Sequence, residues 1–286
     1  MKAIVKHPGL AAAPILCDWS PSLGDGMRDA VRIRVAFVGL CRTDLHVADG
    51  RIPLASPIVL GHEFSGIVVG AGPLPSGTRV AVNPLFGDRF MGVNFDGALC
   101  EEIIVPFEQV HRVPDGLPLQ TAAYLEPVAA ARAVLKAPLP HARHGAVAGT
   151  NRIAGLVGMV LHSEGFDTVP FVNRHNAFDF VVETGSVEET FDDLVDALKP
   201  GGLLVLKSRN VDPVPISIAK LVAKEIRVHA VQYDAFAAAM AWLAKESAQM
   251  GCLVGNTYAL EAFEAAFAEA RISEKQKVFI QIGGEQ

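Results

Sequence analysis

The pattern of apolar residues changes near residue 131, and this change predicts two halves that are built differently. Before it, short β-like runs such as VRIRVAFVG, FSGIVVGAG and LCEEIIVP are separated by turns rich in Gly and Pro. Such spacing is typical of an irregular all-β barrel or sandwich. After it, apolar strands alternate with helices, as in parallel βαβ units. The sequence therefore predicts an α/β protein with a β-rich first half and a doubly wound parallel sheet in the second.

The second half is shorter than a complete doubly wound unit. Its predicted strands are GAVAG, TVPFV, FDFVVET, LLVLKS and IRVHAV, and its predicted helices include IAGLVGMVLHSEG and VEETFDDLVDAL. Between TVPFV and FDFVVET there are only a few polar residues, where another helix and strand normally stand. We therefore expect a five-stranded sheet with a new edge. Towards the end, FAAAMAWLAKE predicts a helix, TYALEAFEAAFAEA predicts a helix that begins near Thr257, and KVFIQI predicts a last strand.

Composition excludes several classes of protein. The chain has 286 residues, of which 50% are hydrophobic and 20% charged, so disorder is excluded as the main state. The net charge of -6, without a basic block, argues against a nucleic-acid partner. No apolar run is long enough to cross a membrane, and MKAIVKHPGL is typical of a first strand rather than a signal peptide. We therefore expect a cytoplasmic protein whose four cysteines are thiols.

Three short segments carry residues that suit a metal site. They are the run from Cys41 to His46 (CRTDLH), the pair His62-Glu63 after Gly61, and Glu126 in LEP. A catalytic zinc takes three protein ligands and keeps a fourth position open, and thiolate, imidazole and carboxylate are its usual donors. Asp44 is placed to accept a hydrogen bond from His62 and so to orient it. Each of these residues alone is more often an ordinary core or surface residue.

In series, GLCRTDLH, VLGHEFSGIVVGAG, RVAVNP, LEPVAAA, VETGS, LKPGGLLVLKS and KVFIQI resemble the zinc-containing medium-chain dehydrogenase/reductase family, the alcohol dehydrogenase-like enzymes. The resemblance implies a GroES-like catalytic domain over residues 1–130 and a Rossmann domain over 131–256. It implies that residues 257–286 return to the catalytic domain. It also implies a homodimer, or a tetramer, in which the strand Ile226 to Val231 pairs two sheets.

The resemblance assigns roles to single residues. Cys41 and His62 match two zinc ligands, and either Glu63 or Glu126 matches the third. Thr43 and His46 match a proton relay. Arg42 matches a contact to the cofactor pyrophosphate.

Two segments depart from the family pattern. The stretch NPLFGDRFMGVNFDGALC holds Cys100 alone where many relatives have four cysteines, which predicts one catalytic zinc and no structural zinc. Its apolar side chains Phe86, Phe90, Met91 and Phe95 are candidates for a pocket wall. Where the dinucleotide motif GxGxxG belongs, the chain has Gly149, Thr150, Asn151, Arg152, Ile153 and Ala154, so only the first glycine is kept. Asn tolerates a left-handed backbone, so we expect Asn151 to preserve the turn and to hinder the approach of a pyrophosphate.

The second strand of the Rossmann half ends without an acidic residue. Asn173, followed by Arg174, stands where a carboxylate usually holds the ribose 2′-hydroxyl. This exchange favours NADP(H) over NAD(H), since Arg174 could pair with a 2′-phosphate.

The sequence favours a zinc-dependent oxidoreductase that moves a hydride between a small alcohol or carbonyl substrate and NADP(H) or NAD(H). LEP at Glu126 resembles the polyol and threonine dehydrogenase branch of the family, which implies a polyol, sugar or amino alcohol as the substrate. Two alternatives remain. One is a zinc enzyme without redox chemistry that catalyses hydration, elimination or hydrolysis on the same scaffold. The other is a non-catalytic member retained for binding.

Overall fold

A computed structural model describes residues 1–9, 12–20, 29–140, 144–185, 190–209 and 213–284. The strands are β1 Lys2–Lys6, β2 Ile15–Asp18, β3 Ala30–Gly39, β4 Ile58–Val59, β5 Glu63–Val68, β6 Arg79–Val82, β7 Leu85–Phe86, β8 Arg89–Phe90, β9 Glu102–Pro106, β10 Val110–Arg112, β11 His144–Ala148, β12 Asp167–Pro170, β13 Phe178–Glu183, β14 Leu198–Leu206, β15 Arg227–Ala230, β16 Val254–Ala259 and β17 Lys277–Gln281. The α-helices are α1 Arg42–Ala48, α2 Leu119–Ala122, α3 Leu125–Arg132, α4 Arg152–Ser163, α5 Phe191–Ala197, α6 Ile218–Ala223, α7 Phe236–Glu246 and α8 Phe263–Ile272.

The chain divides into two compact units. The first consists of Met1–Glu126 together with Phe236–Gln286, and the second is Pro127–Ala235. Within the described residues, no helix is both long enough and apolar enough to cross a membrane. Residues 187–189, the beginning of the predicted VEETFDDLVDAL helix, lie outside the described residues.

The first unit is built on the long strand β3. Its main sheet has the order β10-β6-β5-β3-β17-β16, and β9 pairs with the first half of β3. Alternate β3 residues Val31, Ile33 and Val35 are almost without solvent contact and belong to one apolar core. β17 pairs antiparallel with the second half of β3, so the last strand of the chain completes the sheet that the first half begins. A smaller sheet has the order β2-β1-β4.

One predicted helix begins later than the sequence indicates. Residues Val254–Ala259 form β16, and α8 begins only at Phe263. Thr257 and Tyr258 pair with Phe279 and Ile280 of β17. β-Branched and aromatic residues suit a pleated surface, and the available edge of β17 decides their conformation.

The second unit holds a parallel sheet of the order β12-β11-β13-β14-β15, which is the five-stranded sheet that the sequence predicts. β12 is one edge and β15 the other. Residues 171–177 connect β12 to β13 without a helix, and they run along α5. Asn176 and Ala177 donate their N–H groups to the carbonyls of Asp196 and Ala197 at 3.0 and 2.8 Å. The shortened connection thus meets its backbone hydrogen-bonding needs on a neighbouring helix.

α4 follows β11 and starts at a side-chain cap. Asn151 Oδ1 accepts the N–H of Ala154 at 2.9 Å, which satisfies one donor of the first turn. The helix buries an apolar face that includes Leu156, Val157, Val160 and Leu161. Gly165, with a φ of 77°, follows its end.

Candidate active site

Asp44 joins the two segments that carry the predicted metal ligands. It lies in the first turn of α1, and its side chain has 1% exposure. Its Oδ2 accepts the N–H of Cys41 at 2.9 Å, and its Oδ1 accepts the N–H of Gly61 at 3.1 Å. The same Oδ1 lies 3.1 Å from Nδ1 of His62, so the expected contact between Asp44 and His62 is present. One buried carboxylate therefore fixes the start of α1 against the turn before β5.

This contact sets the direction of the His62 ring. With Nδ1 directed at a carboxylate, Nε2 is the nitrogen left to act as a ligand. Burial opposes protonation of His62, but the charge and hydrogen bond of Asp44 and the nearby Cys41 raise its pKa well above the ordinary value. The ring of Phe90 packs on His62 with centroids 4.8 Å apart. Of the other apolar candidates, Met91 is buried in the core of the first unit, and Phe95 lies beneath the guanidinium of Arg89.

Cys41, His62 and Glu63 converge on one point. Their sulfur, nitrogen and carboxylate atoms all lie within 4.8 Å of one another. Among the described residues, these three side chains form the one cluster of His, Cys, Asp or Glu that could hold a metal ion. Loss of solvent raises the pKa of the Cys41 thiol, but hydrogen bonding to His62 and the charges of His62 and Lys277 outweigh this effect and lower it. The sulfur is therefore prepared to act as a thiolate, the form in which cysteine binds metals.

Lys277 is a buried cation in the same cluster. Its ammonium contacts Oε2 of Glu63, and the two side chains have 1% and 2% exposure. It also lies 5.3 Å from the ring centroid of Tyr124. Burial lowers the pKa of Lys277 to about 8, although Cys41 and Asp44 act in the opposite direction. Sequence reasoning missed this residue; the available signal is a lysine that opens the apolar run KVFIQI.

The cluster carries more negative than positive groups. Glu126, in the first turn of α3, is 7% exposed, and its charge raises the pKa of the Cys41 thiol. With Asp44 and Glu63 it makes three buried carboxylates beside a sulfur whose pKa is lowered. Buried charges must be compensated, so this donor set suits a divalent cation in addition to Lys277.

The other predicted residues of α1 lie close by. Thr43 Oγ1 is 3.9 Å from the sulfur of Cys41. His46 is half-buried, and burial together with the charges of Arg51 and Arg42 lowers its pKa. Arg42 is 3.0 Å from the carboxylate of Glu274 in an exposed ion pair.

The glycine-poor loop of the second unit differs from the expectation at Asn151. Its φ is -80°, so it does not adopt a left-handed backbone. Its amide instead donates to the carbonyls of Thr184 and Gly185, both at 2.9 Å, while Oδ1 caps α4. Gly149 has a φ of 128°, and a Cβ there would overlap Oγ1 of Thr184 and the carbonyl of Gly185. Asn151 therefore ties the loop to the end of β13, and Gly149 carries the left-handed turn.

The remaining candidates of this unit lie near the carboxyl ends of its strands. Thr150 precedes α4, and Arg152 and Ile153 form its first turn. Asn173 follows β12 and donates its Nδ2 to Asp193 of α5 at 3.0 Å. Arg174 is exposed.

Comparison with known proteins finds related dehydrogenases. The alcohol dehydrogenase GroES-like domain family matches residues 27–115. The chain is 28% identical to the L-threonine 3-dehydrogenase of Streptomyces coelicolor over 347 aligned positions, with 98% of this chain and 99% of the relative covered. It is 24% identical to the sorbitol dehydrogenase of Halalkalibacterium halodurans over 343 positions, again with 98% and 99% coverage. Both alignments exceed the 286 residues of the chain, so both relatives carry internal segments that it lacks.

Solved structures show the same fold. A dehydrogenase of Sinorhizobium meliloti 1021 in complex with NADP matches with a TM-score of 0.85 at 20% identity, over 98% of both chains. A short chain alcohol dehydrogenase of Escherichia coli CFT073 in complex with NADH matches with a TM-score of 0.82 at 20% identity, over 99% of both chains. The chain is thus an alcohol dehydrogenase-like oxidoreductase by similarity, with a GroES-like domain and a Rossmann-type sheet.

Proposed function

We propose that this protein is a zinc-dependent dehydrogenase that moves a hydride between a small secondary alcohol or its carbonyl and a nicotinamide dinucleotide. The observation that carries the proposal is the convergence of Cys41, His62 and Glu63 within 4.8 Å. Relatives named for sorbitol and L-threonine support a polyol, sugar or amino alcohol as the substrate. When bound, zinc supplies a Lewis acid for the substrate oxygen, and the nicotinamide supplies or accepts the hydride.

Cys41 and His62 would hold the zinc, with Glu63 or Glu126 as the third ligand. Glu63 has one carboxylate oxygen on Lys277, and Glu126 is buried nearby. We further propose a single zinc per chain. In the described residues, Cys17, Cys100 and Cys252 belong to no group of side chains that could hold a second metal.

Thr43 and His46 would carry the alcohol proton away from the site. The Thr43 hydroxyl lies next to the sulfur of Cys41, and His46 lies three residues further along α1. Because burial lowers the pKa of His46, its imidazole is largely neutral near pH 7 and able to accept a proton.

The dinucleotide would be held by the second unit. The first-turn N–H groups of a helix have no acceptor inside the helix, and they suit a pyrophosphate at the start of α4. Gly149 has no side chain, and a Cβ would not fit there. A cofactor could therefore approach its backbone closely. Arg174, exposed beside Asn173, is the residue that could pair with a 2′-phosphate if NADP(H) is bound.

We also propose a homodimer through β15. This edge strand and the segment before it expose several apolar side chains, namely Val214, Ile216, Ile218, Val222 and Val228, with exposures of 37% to 71%. Two-fold dimers are the commonest soluble oligomers, and a second copy would cover this apolar edge.

The test is a set of turnover assays on zinc-quantified protein. NAD+ or NADP+ is supplied with sorbitol, xylitol, 2,3-butanediol and L-threonine, and the reduced nicotinamide is followed by absorbance. We expect turnover with at least one alcohol, about one zinc per chain, and loss of both in Cys41→Ser. Zinc-containing protein without turnover of any of these alcohols, and without binding of NADH or NADPH in a calorimetric titration, would overturn the proposal in favour of non-redox zinc chemistry.

A further inference from the structure

The carboxyl end of β12 is where this fold places the group that reads the adenosine ribose. Asn173 stands there, three residues beyond the last residue of β12, and it offers an amide instead of a carboxylate. On the sequence alone, the strand end therefore has no carboxylate that would repel a 2′-phosphate.

The structure places a carboxylate beside this amide. Asn173 donates its Nδ2 to Oδ1 of Asp193 at 3.0 Å, and Asp193 lies in the first turn of α5. The shortened connection produces this contact, because residues 171–177 run along α5 and are bonded to it again at Asp196 and Ala197.

Both side chains are oriented by their other contacts. Oδ2 of Asp193 accepts the N–H of Thr190 at 2.9 Å and its hydroxyl at 2.7 Å. These hydrogen bonds from Thr190 lower the pKa of Asp193, so the carboxylate is charged at neutral pH. Because Asp193 cannot donate, the NH2 of Asn173 must face it, and the amide oxygen of Asn173 is directed elsewhere as a second acceptor.

The pair therefore presents two acceptors and one negative charge. Two adjacent hydroxyl groups are donors that match two acceptors, whereas a phosphate would meet the Asp193 carboxylate with like charge. The ammonium of Lys220 does not neutralise the charge of Asp193, because it is shared with two other carboxylates. It lies 2.6 Å from Asp196 and 3.6 Å from Asp192.

We infer that Asp193, acting with Asn173, is the residue that selects the unphosphorylated ribose, so that this chain prefers NAD(H) to NADP(H). The inference rests on the proposed function, since it assumes that the second unit binds a dinucleotide. It reverses the preference that Asn173 and Arg174 suggest from sequence. It also moves the selecting carboxylate from the strand end to the next helix.

The experiment measures binding rather than turnover. NADH, NADPH, ADP-ribose and its 2′-phosphate are titrated by calorimetry into the full-length wild-type protein and into Asp193→Asn. We expect the wild type to bind NADH and ADP-ribose at least about tenfold tighter than their 2′-phosphorylated counterparts, and Asp193→Asn to reduce this ratio about tenfold.

Control variants separate the charge from the fold of α5. Thr190→Ser keeps the hydroxyl that caps α5 and orients Asp193, so it should keep the wild-type ratio. Asp192→Asn removes a neighbouring charge that accepts the Ser217 N–H at 2.9 Å, and it should also keep the ratio. If Asp192→Asn reproduces the effect of Asp193→Asn, the effect is not specific to Asp193 and the inference is wrong.

Other outcomes assign failure to one proposal or the other. Tighter binding of NADPH in the wild type, lost in Arg174→Gln, would overturn the inference and leave the proposed function intact. Absence of binding by all four probes to the zinc-containing wild type would overturn both, and it would do so before any variant is compared.

Discussion

Lys277 and Glu63 form a buried ion pair across β3, although 214 positions separate them in the chain. Gly39 makes the pair possible. It stands opposite Glu63 in the sheet, and a Cβ at Gly39 would overlap Cδ of Lys277. The side chain of Lys277 therefore crosses β3 directly over Gly39, which has no side chain to block it.

Lys277→Met should destabilise the zinc-free protein strongly, because the Glu63 carboxylate would be left buried without its cation. Removing one partner of a buried pair typically costs about 3–5 kcal/mol. If a zinc ion binds beside Glu63, saturating zinc should reduce this loss, since the metal supplies the missing charge. Urea unfolding with and without zinc measures both effects.

Two further variants give the control for Lys277. The double variant Glu63→Gln/Lys277→Met removes both charges and should recover much of the stability. Lys275→Met, at an exposed lysine on the same segment, should change little. An equal loss in Lys277→Met at all zinc concentrations would contradict a metal beside Glu63.

Asp44→Asn should weaken zinc binding about 10–100-fold, as loss of a group that orients a histidine ligand usually does. The amide keeps the shape of Asp44 but loses the charge and one of the acceptors that serve Cys41, Gly61 and His62. A chelator competition titration measures the affinity, and Asp88→Asn in an exposed turn serves as the control. Unchanged affinity would mean that Asp44 does not orient a metal ligand.

Gly149→Ala and Gly158→Ala should act in opposite directions. The first adds a Cβ that overlaps Thr184 at a φ of 128°, so it should destabilise the protein by about 1–3 kcal/mol or more. The second adds a Cβ to α4 where nothing lies within 4 Å, so it should stabilise by up to about 1 kcal/mol. Thermal unfolding of the two variants checks the pair. A Gly149→Ala protein as stable as the wild type contradicts the turn assigned to Gly149, and a destabilised Gly158→Ala protein contradicts the open space at Gly158.

His111 should make stability fall in mild acid. Burial lowers its pKa in the folded protein, so below the ordinary value of 6.5 the unfolded chain binds more protons. This contribution to stability is complete above that pH and is lost as the pH falls through the interval down to the folded pKa. The ring centroids of His111 and Phe236 are 5.9 Å apart, and His111→Phe keeps a ring at this position. Between about pH 7.5 and about pH 5.5, this variant should lose less free energy of unfolding than the wild type. Equal losses in the two proteins would contradict the prediction.

Val228→Lys should dissociate the proposed homodimer. Val228 is 45% exposed on β15, and a charge there would be buried by a second copy. Val169→Lys places the same charge on β12, the opposite edge of the sheet, and should leave the dimer intact. Sedimentation velocity distinguishes the two outcomes, and the reverse pattern would assign the contact to β12.

Periodicity and length were sufficient to predict most of the second unit. The apolar alternation predicts α4, β13 and β14, and the few residues after TVPFV predict that a strand is missing. β16 could not be predicted in this way. Its residues run straight into a helical pattern, and only pairing with β17 makes them a strand.

The site was predictable where its residues are close in sequence and not where they are distant. Cys41, Asp44 and His62 are recognisable because they stand in the segments GLCRTDLH and VLGHEFSG, which resemble family motifs. Lys277 contributes a charge to the same cluster, but only the pairing of β17 with β3 brings it there. Asp193 meets Asn173 for a similar reason, since the path of residues 171–177 depends on the missing strand.

The loss of that strand has a consequence for how the second unit opens. β11 keeps a hydrogen-bonded neighbour on each side, whereas β12 pairs with β11 alone among the strands of the described residues. Local unfolding of such a sheet begins at an edge strand, which is hydrogen-bonded on one side, and then proceeds to the inner strands. Local opening that detaches β12 would also displace residues 171–177 and separate Asn173 from Asp193. Selection between the two dinucleotides would then depend on an edge strand of the unit, and it would weaken under conditions that open this edge before the whole chain unfolds.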